Sequence, residues 1–291
     1  MKIADIVKGK APSLSFEIFP PKSTTALSDV KDAARRIAAI GPSFMSVTYG
    51  AGGTTADLTV ELADAVQNEF RVTSLAHMTC RTATRDSVIR QLGELKRRGI
   101  ENVLALRGDA PVDGSEGAGE FRYASDLAAV IREYGGFCVG GACYPEGHPE
   151  SPSQKEDILN LKKKTDAGCS FLTTQMFFDN NILYNFMYKL REAGITVPVI
   201  AGIMPVTNGR QIKRICAISG SVLPPRFIRI VDRYADNPAA MAQAGVAYAT
   251  EQIVDLFANG VNAVHVYSMN KPEVAAAIAE NISEIIKIRE E

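Results

Sequence analysis

The stretch Asn102-Val-Leu-Ala-Leu-Arg-Gly-Asp109 decides how this chain is read. Val103 to Leu106 form an unbroken apolar run, the pattern of a strand covered on both faces. The run stops at Arg107, Gly108 and Asp109, an ion-forming pair around a glycine. Where a buried strand meets solvent, α/β proteins keep their chemistry. The plain alternative is a strand-end turn with a local salt bridge, and structural ion pairs are common.

The neighbours on both sides repeat the pattern. Strands are expected at Ser13 to Phe19, Phe44 to Thr48, Val72 to His77, Asn102 to Leu106, Phe137 to Cys143, Phe171 to Gln175, Val197 to Ile203 and Ala263 to Tyr267. Helical patterns lie between them: Thr24 to Ile40, Ala56 to Phe70, Thr84 to Arg98, a helix starting near Ser125, Ser153 to Ala167, and Asn180 to Ala193. Further helices are expected at Gln211 to Ile218, Pro224 to Tyr234, Pro238 to Asn259 and Pro272 to Arg289. Gly99, Gly168, Gly194 and Gly260 each follow a helix and lead into a strand, as a left-handed C-terminal cap would. Sustained strand–helix alternation implies a parallel sheet with right-handed crossovers. Eight units in roughly 250 to 300 residues suit a closed (β/α)8 barrel better than an open doubly wound sheet. The expectation is one α/β domain over 1–291, a (β/α)8 TIM barrel with extra helices near the C-terminal part.

Composition agrees with a soluble globular protein, at 46% hydrophobic and 22% charged residues. A net charge of -1 gives no support for a nucleic-acid partner. Met1 to Lys10 lacks a signal-peptide core, and no apolar run is long enough to span a bilayer. Five scattered cysteines without Cys-x-x-Cys spacing suggest reduced thiols, so a cytoplasmic protein without a membrane partner is expected.

In a barrel, all strands end on one face. The residues there would be Glu17, Thr48, His77, Asp109, Tyr144, Gln175, Pro205 and Tyr267, mostly polar tips on apolar strands. A packed barrel needs no such ring, so an active site is the better reading. Glu17 stands between Phe16 and Ile18-Phe19. Facing inward, it would hold a proton near neutral pH and serve as a general acid; facing outward, it would be a solvated glutamate. Asp109 would be a second carboxylate of opposite, ionised role. Two carboxylates also suggest a glycosidase, an idea weakened by the absence of tryptophan.

Other motifs are weaker. Gly50-Ala-Gly-Gly-Thr-Thr-Ala56 has the wrong glycine spacing for a dinucleotide fold. His77, His148 and His265 lack metal-ligand spacing, so no metal is expected; His77 and His148 read as hydrogen-bond donors and His265 as packing. Asp157, Asn160 and Lys164 share a helix face, with Lys163 adjacent, and could hold a ribose and a pyrophosphate or be a solvated charged face. No strand-end lysine is present for a Schiff base.

Taken together, Ser15-Phe-Glu-Ile-Phe-Pro-Pro21, Ser46-Val-Thr-Tyr-Gly50, His77-Met-Thr-Cys80, Leu106-Arg-Gly-Asp109, Tyr123-Ala-Ser-Asp126, Ala142-Cys-Tyr-Pro-Glu146, His148-Pro-Glu150, Thr174-Gln-Met-Phe-Phe-Asp179 and Gly202-Ile-Met-Pro-Val206 resemble methylenetetrahydrofolate reductase. The match is colinear over nearly the whole chain, and the length resembles the bacterial form with a catalytic barrel only. The resemblance implies a flavoprotein of one-carbon and methionine metabolism. NADH or NADPH would pass hydride to FAD, and FAD to 5,10-methylenetetrahydrofolate, in a ping-pong cycle.

It also implies roles. Glu17 would be the general acid that helps open the folate ring to an iminium. Asp109 would lie against flavin and pterin. Thr48, Tyr49, Ala51, His77, Arg107, Gly108, Asp109, Tyr123, Ala124, Tyr144, His148 and Ser151 would line FAD, and Asp157, Asn160, Lys163 and Lys164 would hold its ribose and phosphates. Gln175, Gln211 and Lys271 would join Glu17 and Asp109 in binding substrate. Three departures stand out. Ile215 replaces an expected phenylalanine platform, and Lys163 and Lys271 replace arginines, losing the planar fork. Ile215 motivates an alternative, a flavin-holding electron-transfer subunit supplied by a partner subunit. A flavin-free barrel lyase or aldolase is a third reading. A homo-oligomer is expected.

Overall fold

The computed structural model describes residues 1–21, 26–49, 56–108 and 119–288. Asp109, Ala51, the Gly50 loop, most of the 108–122 loop and the start of the helix expected from Thr24 lie outside the described residues.

Eight parallel strands close in chain order: β1 (Ser13–Ile18), β2 (Met45–Val47), β3 (Ser74–Thr79), β4 (Asn102–Leu106), β5 (Cys138–Cys143), β6 (Phe171–Thr174), β7 (Val199–Ile203) and β8 (Ala263–Tyr267). The last strand pairs with the first, Ser13 beside Ala263 through Glu17 beside Tyr267. The closed (β/α)8 barrel expected from the repeat is the fold found, and the open sheet is excluded.

The helices among the described residues are α1 (Ile3–Val7), α2 (Leu27–Ala38), α3 (Ala56–Asp64), α4 (Arg85–Arg97), α5 (Ala124–Tyr134), α6 (Gln154–Ala167), α7 (Asn180–Glu192), α8 (Gly209–Ser219), α9 (Pro225–Tyr234), α10 (Pro238–Ala258) and α11 (Pro272–Asn281). Three of the four cap glycines do what the sequence implies, Gly99, Gly194 and Gly260 holding φ of 72°, 71° and 78°, whereas Gly168 caps α6 at φ 129°, beyond the left-handed helical value. Three elements differ from expectation. The closing helix, expected to run to Arg289, ends at Asn281, and a 3-10 turn follows at Ile285–Lys287. α3 ends in a π-helical turn, Ala65–Glu69. α1 has no counterpart in the sequence reading; it brings Ile3, Ala4 and Val7 against Phe44, Leu75, Leu104, Phe171 and Ile200.

β1 explains how the barrel carries a polar interior. Its alternation sends Leu14, Phe16 and Ile18 outward into the layer between strands and helices. Ser13, Ser15 and Glu17 therefore face the barrel axis. Phe171 fills the lumen opposite because β5 carries Gly140; a Cβ there would meet the Phe171 ring at 2.3 Å. A third apolar cluster, with Met176, Phe178, Val206, Ile212, Phe227, Val231 and Met241, seats α8, α9 and α10 over the tips of β6 and β7.

Candidate active site

Register puts Glu17 between Ser46 on β2 and Tyr267 on β8. Its carboxylate Oε2 lies 3.7 Å from His77 Nε2, with side chains 22% and 6% exposed. By distance this is an ion pair, but burial acts against both charges. It raises the Glu17 pKa to about 8 and lowers that of His77 to about 3. A protonated carboxyl therefore faces a neutral imidazole, and His77 Nε2 is buried with no hydrogen-bond partner. β3 runs on to Thr79, so His77 is an inward residue within the strand rather than its tip.

Beneath this pair sits His265, read from sequence as packing. It stacks on Phe44 at 5.3 Å and is also hydrogen-bonded through both nitrogens, Nδ1 to Ser15 Oγ at 2.7 Å and Nε2 to Ser46 Oγ at 2.9 Å. Ser15 Oγ donates to Val264 O. Its one proton is thus used, so Nδ1–H donates to Ser15 and Ser46 donates to Nε2. Burial, with His77 nearby, holds the His265 pKa at about 3. The Tyr267 ring meets His265 edge-on, and its hydroxyl donates to Thr174 O at 2.5 Å. That crossing needs Gly202, where a Cβ would come within 2.3 Å of Tyr267 Oη.

A second group of residues lies along β4, β5 and α6. Arg107 binds Glu150 through two nitrogens, at 2.8 and 2.5 Å, which raises the guanidinium pKa. Gly108 follows with φ of 88° and Thr79 packed against it. Tyr144 and His148 form an edge-to-face pair at 4.6 Å. His148 Nδ1 accepts from Glu150 N, so its ring proton sits on Nε2.

Asp157 is buried, and it accepts from His148 N at 3.3 Å and Ser151 Oγ at 3.2 Å. Its contacts are to the loop before its own helix. Lys164 donates to Ala142 O at 2.7 Å, and burial lowers its pKa. Lys163 is exposed and donates to Asn160 Oδ1 at 3.0 Å. Asn160 and Lys163 also line a recess of about 530 Å³ along α6 that none of Glu17, His77 and Tyr144 lines.

Thr48 N donates to Ile18 O, and burial, then Asp57, raises the Tyr49 pKa. Tyr123 and Ala124 open α5, where Tyr123 N donates to Asp126 Oδ2. Gln175 N donates to Cys143 O, fixing the β6 tip against β5. Gln211 is exposed on α8, and Ile215 packs against the cluster beneath that helix. Lys271 Nζ donates to Thr207 Oγ1 at 2.7 Å, tying the β8 and β7 tips together. The structure thus brings Glu17 together with His77 and groups Arg107, Tyr144, His148, Ser151, Asp157 and Lys164. Asp109 and Ala51 are outside the described residues.

Sequence reading missed the supports under Glu17. Ser15 and Ser46 stand 250 and 219 positions from His265, and no local pattern links them.

Fold and rim together define a (β/α)8 barrel with an uncharged acid group at its C-terminal face and a loop-and-helix cradle beside it. The methylenetetrahydrofolate reductase family model matches residues 2–283. The 5,10-methylenetetrahydrofolate reductase of Escherichia coli is 33% identical over 271 residues, covering 93% of this chain and 90% of that protein. Methylenetetrahydrofolate reductase (NADH) 1 of Zea mays is 35% identical over 297 residues, 97% of this chain and 50% of that protein. The chain therefore spans about half the length of the maize relative. An uncharacterized protein from Clostridium thermocellum, which binds two copies of 5-methyl-5,6,7,8-tetrahydrofolic acid, shares the fold with a TM-score of 0.67 at 14% identity, over 99% of this chain and 100% of that one. The chain belongs to the methylenetetrahydrofolate reductase family. No helix among the described residues is long and apolar enough to cross a membrane.

Proposed function

We infer that the chain is an FAD-dependent reductase that converts 5,10-methylenetetrahydrofolate to 5-methyltetrahydrofolate with NADH or NADPH, in a ping-pong cycle. The observation that carries this reading is Glu17, a buried carboxyl with a pKa of about 8, standing at the rim beside a neutral His77.

The residues present suit a flavin. His77 Nε2 is a buried, unpartnered polar atom at the barrel mouth. His148 offers an Nε2–H from the edge of Tyr144. Lys164 is a cation half-buried under the same loop. When bound, FAD supplies the two-electron carrier between nicotinamide and folate. His77, Arg107, Gly108, Tyr144 and His148 would hold its ring side, and Asp157, Asn160, Lys163 and Lys164 its ribose and phosphates; Asp109 is proposed as a contact to ring and pterin.

Glu17 then performs the proton chemistry. Neutral at pH 7, it donates to the folate nitrogen that departs as the five-membered ring opens to the iminium. His77, neutral itself, offers no opposing proton and no charge that would ionise Glu17 early. Gln175, Gln211 and Lys271 bind the folate, Gln175 from the β6 tip and Lys271 from beyond β8.

Glu17→Gln tests the assignment. Stopped-flow traces of flavin absorbance should show nicotinamide reducing the flavin within about 2-fold of the parent rate, and folate re-oxidation lost by at least about 100-fold. Equal loss of both half-reactions refutes the role. A second reading is favoured by Ile215, which replaces an aromatic platform on α8: electrons arrive from a partner protein. Flavin reduction by NADH alone, at a rate matching turnover, excludes it.

A further inference from the structure

Past Glu17 the chain meets a problem of hydrogen bonding. The β1–β8 ladder ends at Glu17 beside Tyr267. Phe19 is the last residue before Pro20-Pro21, which have no N–H to continue any ladder. β8 has by then turned away through two consecutive non-glycine residues in the left-handed region, Met269 at φ 54° and Asn270 at φ 53°. Asparagine tolerates that region; methionine does so poorly.

That turn brings the Asn270 side chain back to β1. Its Oδ1 accepts from Phe19 N at 3.0 Å, and its Nδ2 donates to Phe19 O at 2.9 Å. A side-chain amide has the donor and acceptor of a peptide group, so Asn270 stands in for one more ladder residue. Ser268, buried, donates from Oγ to Glu17 O at 2.6 Å. On the other flank, Thr48 N donates to Ile18 O at 3.0 Å. Each of residues 17, 18 and 19 therefore has its carbonyl held from a neighbouring element.

We propose that Asn270, with Ser268, is a positioning residue for Glu17: the β8 tip clamps the backbone on both sides of the acid and keeps its carboxyl turned into the barrel mouth. The inference rests on the reading of Glu17 as the general acid. Backbone strain at Met269 and Asn270 fits a turn retained for that hold. Among the described residues, the titratable side chains facing Glu17 from packed elements are His77 on β3 and Tyr267 on β8. Neither gains charge near neutrality, since burial lowers the first and raises the second. Loosening the clamp would thus change the proton affinity of Glu17 through its access to water.

The test uses the flavin-loaded enzyme and Asn270→Gly, which keeps the left-handed backbone and removes only the two side-chain bonds. Met269→Gly relaxes the same turn and leaves the clamp intact. Two readouts are taken: the pH profile of the folate half-reaction, and the protonated-carboxyl infrared band that Glu17→Gln removes. In Asn270→Gly, flavin reduction by nicotinamide should stay within about 2-fold, while the folate half-reaction at pH 7 falls about 10- to 100-fold. Its alkaline limb and the infrared titration of Glu17 should both move to lower pH. Met269→Gly should match the parent in all three.

Parent-like folate kinetics and an unmoved infrared titration in Asn270→Gly overturn the proposal. Should that variant not fold, Ser268→Ala is read by the same criteria. Retained folate turnover in Glu17→Gln defeats the general-acid reading itself, and the infrared titration still decides whether Asn270 sets the state of the carboxyl.

Discussion

At 3.7 Å from each other, Glu17 and His77 are both driven to neutrality by the same burial, and the two leave opposite marks on stability. The Glu17 pKa is raised from 4.5 to about 8. Between those values the folded state holds a proton that the unfolded chain releases, so the Glu17 contribution is full below pH 4.5 and is lost as pH rises toward 8. The His77 pKa is lowered from 6.5 to about 3. Its contribution is present above pH 6.5 and is lost as pH falls toward 3. Glu17→Gln removes only the first effect. Its melting temperature should exceed the parent's, and the gap should widen steadily from pH 5 to pH 8; a gap constant with pH would show that Glu17 titrates normally. The candidate acid was legible because Phe16, Ile18 and Phe19 flank it. What holds it was not, because Ser46, Ser268 and Asn270 are remote in sequence and chemically ordinary there.

Elements carry the next level of specification. The strand–helix repeat and its cap glycines were readable, since alternation, helical periodicity and left-handed glycine are local signals. Gly140 and Gly202 were not, because each is dictated by a bulky ring on another strand: Phe171 beside the first and Tyr267 over the second. Gly140→Ala should destabilise the protein by about 1–3 kcal/mol, the usual range for overpacking, read as a lower urea midpoint with unchanged slope. The α6 row shows a limit of periodicity. Asp157 and Lys164 do share a face, but that face is turned inward, with Asp157 bound to the preceding loop and Lys164 to Ala142 O. Helical spacing tells which residues are neighbours, and only the fold tells what they meet.

For the whole molecule, the barrel needs both ends closed. Among the described residues, α8 to α10 cover the β6 and β7 tips of the rim; the opposite end is filled by α1, whose Ile3 is fully buried and donates its N–H to Asn102 Oδ1 at 2.9 Å. Five residues are too few for a periodic signal, so this plug was invisible in the sequence. Ile3→Ala should cost about 2–5 kcal/mol in chemical denaturation, yet leave both half-reactions of the proposed cycle near parent rates, because it lies at the far end of the lumen from Glu17. Rates that fell with stability would show that floor and rim are mechanically coupled. Closure in chain order has one more outcome. Glu17 is made long before its neighbour Tyr267 and its tether Ser268. A growing chain on the ribosome thus carries an ordinary acidic glutamate, and the unusual proton hold arises only once β8 has emerged and docks against β1, so the reactive centre is born with the closing of the ring.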